Sequence, residues 1–276
     1  GEYARSLGHR IVTALDGRSE ETRMRATRAG FEDLGDLAAA AGAADILLCI
    51  MPPERAAAFA DAAVGAIAGM ENPPLYVDCN AISPVTTLAI NAKFEANRLP
   101  FANASIIGNP PGGAAATKLY ASGALAGALD ILNGDGISVR QMGPDIVRAS
   151  AIKMCYAGLT KGTWTLHAAV LLAAEGHGLS AELREEFEYS QAPALAAMEA
   201  RTPRLPADSG RWIGEMEEIA KTFADAGVTP GFHEGAAAVF RILAETPFAS
   251  ETRETFDAAR TMEETIRAAA GLLEKP

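Results

Sequence analysis

The sequence has few of the residues that ligate metals or form disulfides. It contains three cysteines and four histidines. No spacing pairs Cys49, Cys79 and Cys155 with one another, and no histidine has the spacing of a metal ligand. The sequence therefore predicts neither a zinc site nor a disulfide framework. We expect the three thiols to be free and buried, which suits the reducing cytoplasm.

The sequence also lacks long apolar runs and an excess of positive charge. Its longest apolar candidate, residues 166–174, ends at Glu175, well short of the roughly 20 residues of a membrane span. No charged-then-apolar signal pattern opens the sequence. Lys and Arg number 24 against 35 Asp and Glu, a net charge of -11, which disfavours nucleic acid as a partner. We expect a cytoplasmic protein that binds neither nucleic acid nor membranes.

The first half of the sequence alternates short apolar runs with helical stretches. Hydrophobic residues make up 49% of the 276 residues, which is enough for a sizeable core. Residues 46–51 and 75–80 have the composition of buried strands, and predicted helices over 54–68 and 84–97 follow them. This alternation is typical of a parallel sheet covered on both faces. The predicted fold class is therefore α/β, with a Rossmann-type doubly wound sheet.

The second half of the sequence carries helical periodicity throughout. We predict strands at 9–15, 31–34, 101–107, 118–122 and 137–139, and further helices at 20–29 and 37–41. From about residue 148 the pattern predicts only helices, at 148–175, 181–200, 211–226, 232–245 and 251–273. We therefore expect a nucleotide-binding domain over residues 1–147 and an all-α domain over residues 148–276.

The ends of the two central strands are candidate cofactor-binding loops. Open α/β sheets bind ligands outside the carboxyl ends of their strands. Ile50, Met51 and Pro52 follow the first of these strands, and Asn80 ends the second. Asn80 is a plausible hydrogen-bond partner for a substrate or for a cofactor carboxamide. Capping of its own turn is an equally good interpretation.

Two signals for the cofactor conflict after the strand predicted at 9–15. Asp16 could accept hydrogen bonds from a ribose diol, which favours NAD. Arg18 and Ser19 could hold a 2′-phosphate, which favours NADP, and we favour NADP with NAD as the alternative. Ser19 could instead only cap the helix that begins at Glu20.

The opening of the sequence differs from that of a dinucleotide fold. Such a fold begins with a strand and a glycine-rich turn, whose amides approach the pyrophosphate at a helix N-terminus. Residues 1–7 instead have the character of the last turns of the following helix, and Gly8 and His9 then lead into the next strand. We therefore expect that the first strand and glycine loop are absent from this sequence, and that residues 1–276 bind dinucleotides poorly.

Four segments in order resemble motifs of the β-hydroxyacid dehydrogenase superfamily, which includes 3-hydroxyisobutyrate and 6-phosphogluconate dehydrogenases. Residues 44–50 are similar to its fourth-strand motif. Residues 77–84 are similar to its fifth-strand motif, whose polar residue faces the nicotinamide. Residues 103–108 lie where the superfamily binds substrate, and residues 151–156 lie where it has its catalytic lysine. The resemblance covers nearly the whole chain.

The resemblance implies an NAD(P)-dependent oxidoreductase that transfers hydride between nicotinamide and a small hydroxy acid or a related oxo compound. It makes Lys153 the general acid/base, with Lys161 as the competing lysine. It places Ser105, Gly108 and Asn109 at the substrate, where a hydroxyl and backbone amides could bind a carboxylate, with a simple strand-end turn as the alternative. It also implies a homodimer. The long Ala-rich helix predicted over 148–175, apolar on more than one face, points to the same homodimer.

The sequence departs from the superfamily pattern at several positions. Asn103 replaces an aspartate, Ile107 replaces a serine and Ala157 replaces an asparagine. The C-terminal lysine–aspartate pair is replaced by Glu215 and Met216. The chain resembles a divergent branch with an uncharacterised C-terminal helical domain.

Trp212 and Glu215 are candidates for the far wall of the substrate cleft, although a tryptophan in such a helix is more often part of the core.

Two other functions remain open. One is an imine reductase, against which Lys153 argues, since imine reductases of this superfamily commonly replace that lysine. The other is a non-catalytic nucleotide-binding dimer, which the missing glycine loop would favour.

Overall fold

The computed structural model describes residues 1–113, 115–252 and 255–273. The chain divides into two compact units, residues 1–153 and 154–276. The division falls within the first turns of a long helix, slightly beyond the predicted domain boundary. Among the described residues, no helix combines the length and the apolar character that crossing a bilayer requires.

The first unit alternates strands and helices. Its elements in chain order are α1 (Glu2–Ser6), β1 (Val12–Thr13), α2 (Glu20–Arg28), β2 (Glu32–Asp33), α3 (Leu37–Gly42), β3 (Ile46–Cys49), α4 (Pro53–Ile67), β4 (Leu75–Asp78), α5 (Pro84–Ala96), β5 (Phe101–Ile107), β6 (Thr117–Ser122), a 3₁₀ helix (Ala126–Leu132), β7 (Ile137–Gln141) and the start of α6 (Arg148–Gly176).

The main sheet has five strands in the order β3-β4-β5-β6-β7. Its neighbouring strands are parallel except for β5 and β6, which pair antiparallel with Asn103 opposite Ser122. The predicted parallel sheet is therefore confirmed except at this pair, which is antiparallel. The connection between β5 and β6 is a short Gly/Pro-rich loop, whereas a parallel pair needs a crossover of a dozen or more residues.

Strands β1 and β2 form a separate parallel pair. Among the described residues, β3 is the edge strand of the five-stranded sheet on the side of this pair. A cleft of about 870 Å³ lies between the two sheets and is lined by residues of both, including Val12, Ala14, Ile46 and Leu48. The α/β architecture is thus present, with a gap between β1 and β3.

Strands β4 and β5 are buried on both faces, as their composition predicted, whereas the edge strand β3, also predicted to be buried, leaves Leu48 39% exposed. On one face Val77, Ala102 and Leu119 pack together with the 3₁₀ helix. On the other face Tyr76, Phe94 and Phe101 form an aromatic cluster with ring centroids 4.4 to 5.8 Å apart, beneath α4 and α5. Helix α5 begins where predicted, because the Ser83 hydroxyl accepts from the amide of Thr86 at 3.1 Å.

The second unit is helical, and several of its helix bounds differ from the predictions. After α6 come α7 (Ser180–Ser190), α8 (Ala192–Arg201), α9 (Leu205–Asp225), α10 (Gly231–Ala244) and α11 (Met262–Ala270). The single helix predicted over 181–200 is broken at Gln191, because Pro193 cannot donate to the preceding turn and instead starts α8.

Two further predicted bounds in this unit were also wrong. Helix α9 begins at Leu205 rather than at residue 211, since Pro206 is tolerated in a first turn. The helix predicted over 251–273 is present at Met262–Ala270, where Thr261 and Glu264 form a capping box. Residues 253 and 254 of that prediction lie outside the described residues.

Candidate functional site

Lys153 reaches the end of strand β5. Its side chain is half-buried, and its Nζ donates to the backbone carbonyl of Ile106 at 2.9 Å. The preceding residue, Ser105, is 1% exposed, and its Oγ has no hydrogen-bond partner among the described residues. A lysine ammonium and an unsatisfied buried hydroxyl therefore belong to the same end of β5.

The loop after β5 turns sharply at Gly108. This residue has φ +118°, and a Cβ atom there would lie 3.6 Å from the Cα of Thr117. The hydroxyl of Thr117 donates to the carbonyl of Asn109, which is itself exposed. The left-handed conformation accounts for a glycine at this position. Substrate binding by Ser105, Gly108 and Asn109 stays a prediction.

The side chain of Asn80 connects the carboxyl ends of β3 and β4. Its Oδ1 accepts from the amide of Met51 at 2.5 Å, and its Nδ2 donates to Asp78 Oδ2 at 3.1 Å and to Cys49 Sγ at 3.2 Å. The structure therefore supports the loop-capping interpretation of Asn80. A direct bond from this amide to a substrate or cofactor stays a prediction, and it would require exchange of one of these partners.

Asp78 is a buried acid that the sequence analysis did not single out. It is 0% exposed, and its two oxygens accept from the backbone and side-chain nitrogens of Asn80. Burial raises the pKa of this carboxyl to about 6, while the hydrogen bonds from Asn80 act in the opposite direction. The available signal was an acidic residue ending an otherwise apolar strand. Burial also raises the pKa of the neighbouring Cys49 thiol to about 11, so this thiol stays protonated near neutral pH.

The predicted cofactor-binding residues of the β3–α4 loop line or border the cleft. Ile50 is 60% exposed and lines it together with Met51, while Pro52 caps the start of α4. An Arg18 guanidinium nitrogen lies 4.0 Å from the sulfur of Met51. Of the predicted cofactor-binding residues, Arg18, Ile50 and Met51 therefore line one opening.

Ser19 has the capping role that was the alternative to phosphate binding. Its Oγ accepts from the amide of Thr22 at 3.3 Å, at the N-terminus of α2. Asp16 lies beside Gly35, to whose carbonyl its own amide donates at 3.0 Å. Asp16, which favours NAD, and Arg18, which favours NADP, both line the cleft, so their positions do not decide between the two cofactors.

Trp212 and Glu215 lie within the helical unit. Trp212 is 4% exposed, with ring centroids 5.2 Å from Trp164 and 5.3 Å from Phe240. Glu215 accepts from Lys161 Nζ at 2.7 Å, and both side chains are about nine-tenths buried. These contacts support the core interpretation of Trp212. A role of either residue in substrate binding stays a prediction.

The expectation that all three cysteines are buried was wrong. Cys49 and Cys79 are buried as expected, but Cys155 is exposed. Helix α6 buries Met154 and Ala157, and Cys155 falls on the opposite side of the same turn. An Ala-rich helix conceals which of its faces is outermost, because alanine suits either side.

Comparison with known proteins gives matches over both units. Residues 174–243 match a family model described as a domain of unknown function, DUF1932. An uncharacterised 28.5 kDa protein of Methanothermus fervidus is 28% identical over 181 residues, which cover 66% of this chain and 68% of that protein.

Two solved structures are similar over most of the chain. The conserved protein MTH1747, of unknown function and described as structurally similar to 3-hydroxyacid dehydrogenases, is 28% identical with a TM-score of 0.62, covering 88% of this chain and 90% of that one. A 3-hydroxyisobutyrate dehydrogenase of Mycobacterium tuberculosis is 18% identical with a TM-score of 0.59, covering 96% and 92%. The chain thus has a Rossmann-type fold with a C-terminal helical domain, and it is similar to β-hydroxyacid dehydrogenase-like proteins.

Proposed function

We propose that the protein is an NADP-dependent oxidoreductase that transfers hydride between nicotinamide and a small hydroxy acid or a related oxo compound. The observation that carries the proposal is Lys153, whose ammonium lies at the carboxyl end of β5 next to the unsatisfied hydroxyl-bearing residue Ser105. Open α/β sheets bind their ligands at this end of the strands. Similarity to 3-hydroxyisobutyrate dehydrogenase supports the same reaction class.

We place the nicotinamide dinucleotide at the loops that follow β1 and β3, where Arg18 supplies a positive charge. Arg18 would hold the 2′-phosphate, and the loop at Met51 would contact the remainder of the cofactor. When bound, the nicotinamide supplies the hydride acceptor or donor. The same arrangement with Asp16 on a ribose diol is the NAD alternative.

The protein's own groups would bind the substrate and move its proton. As a neutral amine, Lys153 would accept the hydroxyl proton at Nζ during oxidation and become an ammonium; in reduction the ammonium would return the proton. Its bond to the Ile106 carbonyl fixes the direction of the ammonium before substrate arrives. Ser105 Oγ would donate to the substrate carboxylate and so satisfy its own buried hydroxyl. A lysine at this place also favours alcohol chemistry over the imine reductase alternative.

The proposal is tested by screening small hydroxy acids with NADP⁺ and following the formation of NADPH. Turnover of a hydroxy acid that depends on the nicotinamide cofactor supports it. Binding of NADPH without turnover of any hydroxy acid, oxo acid or imine would contradict the proposal and favour the non-catalytic nucleotide-binding alternative.

Arg18→Ala is expected to weaken NADPH binding more than NADH binding. Losing a charge-assisted contact to a phosphate typically costs about 1.5–3 kcal/mol, or tenfold and more in affinity. NADH has no 2′-phosphate to lose. Fluorescence titration with each cofactor measures the difference. Arg28→Ala is the matched control, because Arg28 is exposed at the other end of α2 and does not line the cleft. An equal loss of affinity for both cofactors would mean that Arg18 does not bind the 2′-phosphate.

We also propose a homodimer formed through helix α6. Tyr156, Leu159 and Leu166 on this helix are 50%, 73% and 62% exposed. Their spacing of three and seven residues places them along one helical stripe, and apolar stripes of this kind mark association surfaces.

Sedimentation equilibrium at micromolar concentration is expected to give a dimer. Leu159→Asp should shift the equilibrium to the monomer, since burying an unpaired carboxylate in an interface is costly. Tyr189→Asp on α7 is the control, because Tyr189 is 89% exposed and off the stripe. A monomeric wild-type chain at micromolar concentration would contradict this proposal.

A further inference from the structure

The first turn of α6 is attached to the sheet through the side chain of Asn103. This residue on β5 is 0% exposed, and its Nδ2 donates to the carbonyl of Ile146 at 2.9 Å and to the hydroxyl of Ser150 at 2.8 Å. Ser150 in turn shares a hydrogen bond of 2.7 Å with Thr87 of α5. One amide therefore binds both the segment before α6 and the first turn of the helix.

Ser122 on the neighbouring strand β6 attaches the same turn from a second position. Its Oγ donates to the carbonyl of Ile146 at 2.8 Å and accepts from the amide of Ala149 at 3.1 Å. A side chain distant in sequence thus does what a helix N-cap residue normally does, which is to satisfy a free amide of the first turn.

The sheet register brings these two attachments together. Asn103 and Ser122 are directly opposite in the antiparallel β5–β6 pair, and both donate to the one carbonyl of Ile146. Both side chains are fully buried, so water does not compete for these bonds. Lys153 lies one turn beyond Ser150 on the helix whose start is held in this way.

We propose that Asn103 and Ser122 are positioning residues, which hold the first turn of α6 on β5 and β6 so that the ammonium of Lys153 meets the carbonyl of Ile106. A catalytic role for Lys153 at this place rests on the proposed function. The attachment of α6 by Asn103 and Ser122 does not depend on it.

The proposal also accounts for the asparagine at position 103. The superfamily motif that residues 103–108 resemble has an aspartate at this place. An ionised aspartate has no hydrogen to donate, so its oxygens would face the Ile146 carbonyl without a bond. The amide of Asn103 can thus donate to the Ile146 carbonyl, which an ionised carboxylate could not do, while its own Oδ1 has no hydrogen-bond partner among the described residues.

The test measures the chemical reactivity of Lys153 in the full chain and needs no substrate. Lysines are reductively methylated with isotope-labelled formaldehyde, and the rate at each lysine is determined by mass spectrometry, with the exposed Lys118 as internal reference. Ser122→Ala removes the hydrogen bonds of this hydroxyl to Ile146 and Ala149. We expect methylation of Lys153 to accelerate about tenfold, because the charge-assisted hydrogen bond from Lys153 to the Ile106 carbonyl is weakened. Asn103→Asp should act in the same direction, and Ser122→Thr, which keeps the hydroxyl, should restore slow methylation.

Val77→Ala is the matched control for loss of stability. Val77 is fully buried on the opposite face of the same sheet, so this variant should destabilise the unit without altering the start of α6. An unchanged Lys153 rate in Ser122→Ala, or an equal acceleration in Val77→Ala, would overturn the proposal. If Asn103→Asp does not fold, the comparison of Ser122→Ala with Ser122→Thr decides alone.

A second readout separates positioning from the proposed function. With a substrate found by screening, Ser122→Ala should lower kcat more than it raises KM and should shift the limb of the pH–rate profile that belongs to Lys153. If Lys153 reactivity changes as expected but Lys153→Ala retains full turnover, the positioning stands and the proposed function fails.

Discussion

Lys153→Ala is expected to leave NADPH binding nearly intact and to lower turnover by ~10²–10⁴, the usual contribution of a positioned acid or base. The ammonium contacts the backbone of β5 and is at the predicted substrate end of that strand. Removing this side chain takes away the proton-transfer group without disturbing Arg18 at the cofactor cleft. The measurements are NADPH titration and steady-state turnover of the substrate identified by screening.

Lys118→Ala is the matched control, because Lys118 is an exposed lysine of the same unit on strand β6. It should retain wild-type turnover. If Lys153→Ala also retains it, Lys153 is not the proton-transfer group. If a folded Lys161→Ala chain loses turnover instead, the alignment of residues 151–156 with the superfamily motif is wrong, and Lys161 corresponds to the catalytic lysine.

Lys161→Ala is expected to lower the free energy of unfolding by about 3–5 kcal/mol, because it leaves the carboxylate of Glu215 buried and unpaired. The two side chains are only 11% and 10% exposed, and their contact is 2.7 Å. Urea unfolding followed by circular dichroism of the helical unit measures the loss.

Two variants distinguish this pair from an ordinary surface contact. Arg241→Ala breaks the ion pair with Glu217, whose members are 51% and 49% exposed, and should cost at most about 1 kcal/mol. The double variant Lys161→Met with Glu215→Leu should recover most of the lost stability, since it leaves no buried charge. A loss below about 1 kcal/mol for Lys161→Ala would show that Glu215 finds another partner or is hydrated.

The sequence predicted the elements whose signals are local. Strands β3 and β4 are short apolar runs that stop at a proline or a capping serine, and these signals do not depend on the rest of the chain. The antiparallel β5–β6 pair was missed because strand direction depends on the length of the connecting loop. The break at Gln191 was missed because the apolar spacing continues on both sides of Pro193.

The site was predictable only as a set of residue types. Lys153 could be singled out because a lysine among apolar neighbours needs a partner or a cleft. Its partner is a backbone carbonyl on β5, which no side-chain pattern reveals. The amide of Asn80 is occupied by Asp78 and Met51, and Trp212 packs between other aromatic rings. Both arrangements depend on tertiary contacts between residues distant in the sequence.

The separate β1–β2 pair has a consequence for the order in which the first unit opens. A two-stranded sheet is marginally stable by itself, and local opening begins where strand pairing and apolar contacts are fewest. The region that contains Asp16 and Arg18 therefore exchanges with open conformations more readily than the sheet that contains Lys153. A ligand that binds at Asp16 and Arg18 would order this region, so part of its binding free energy would be spent on ordering the chain.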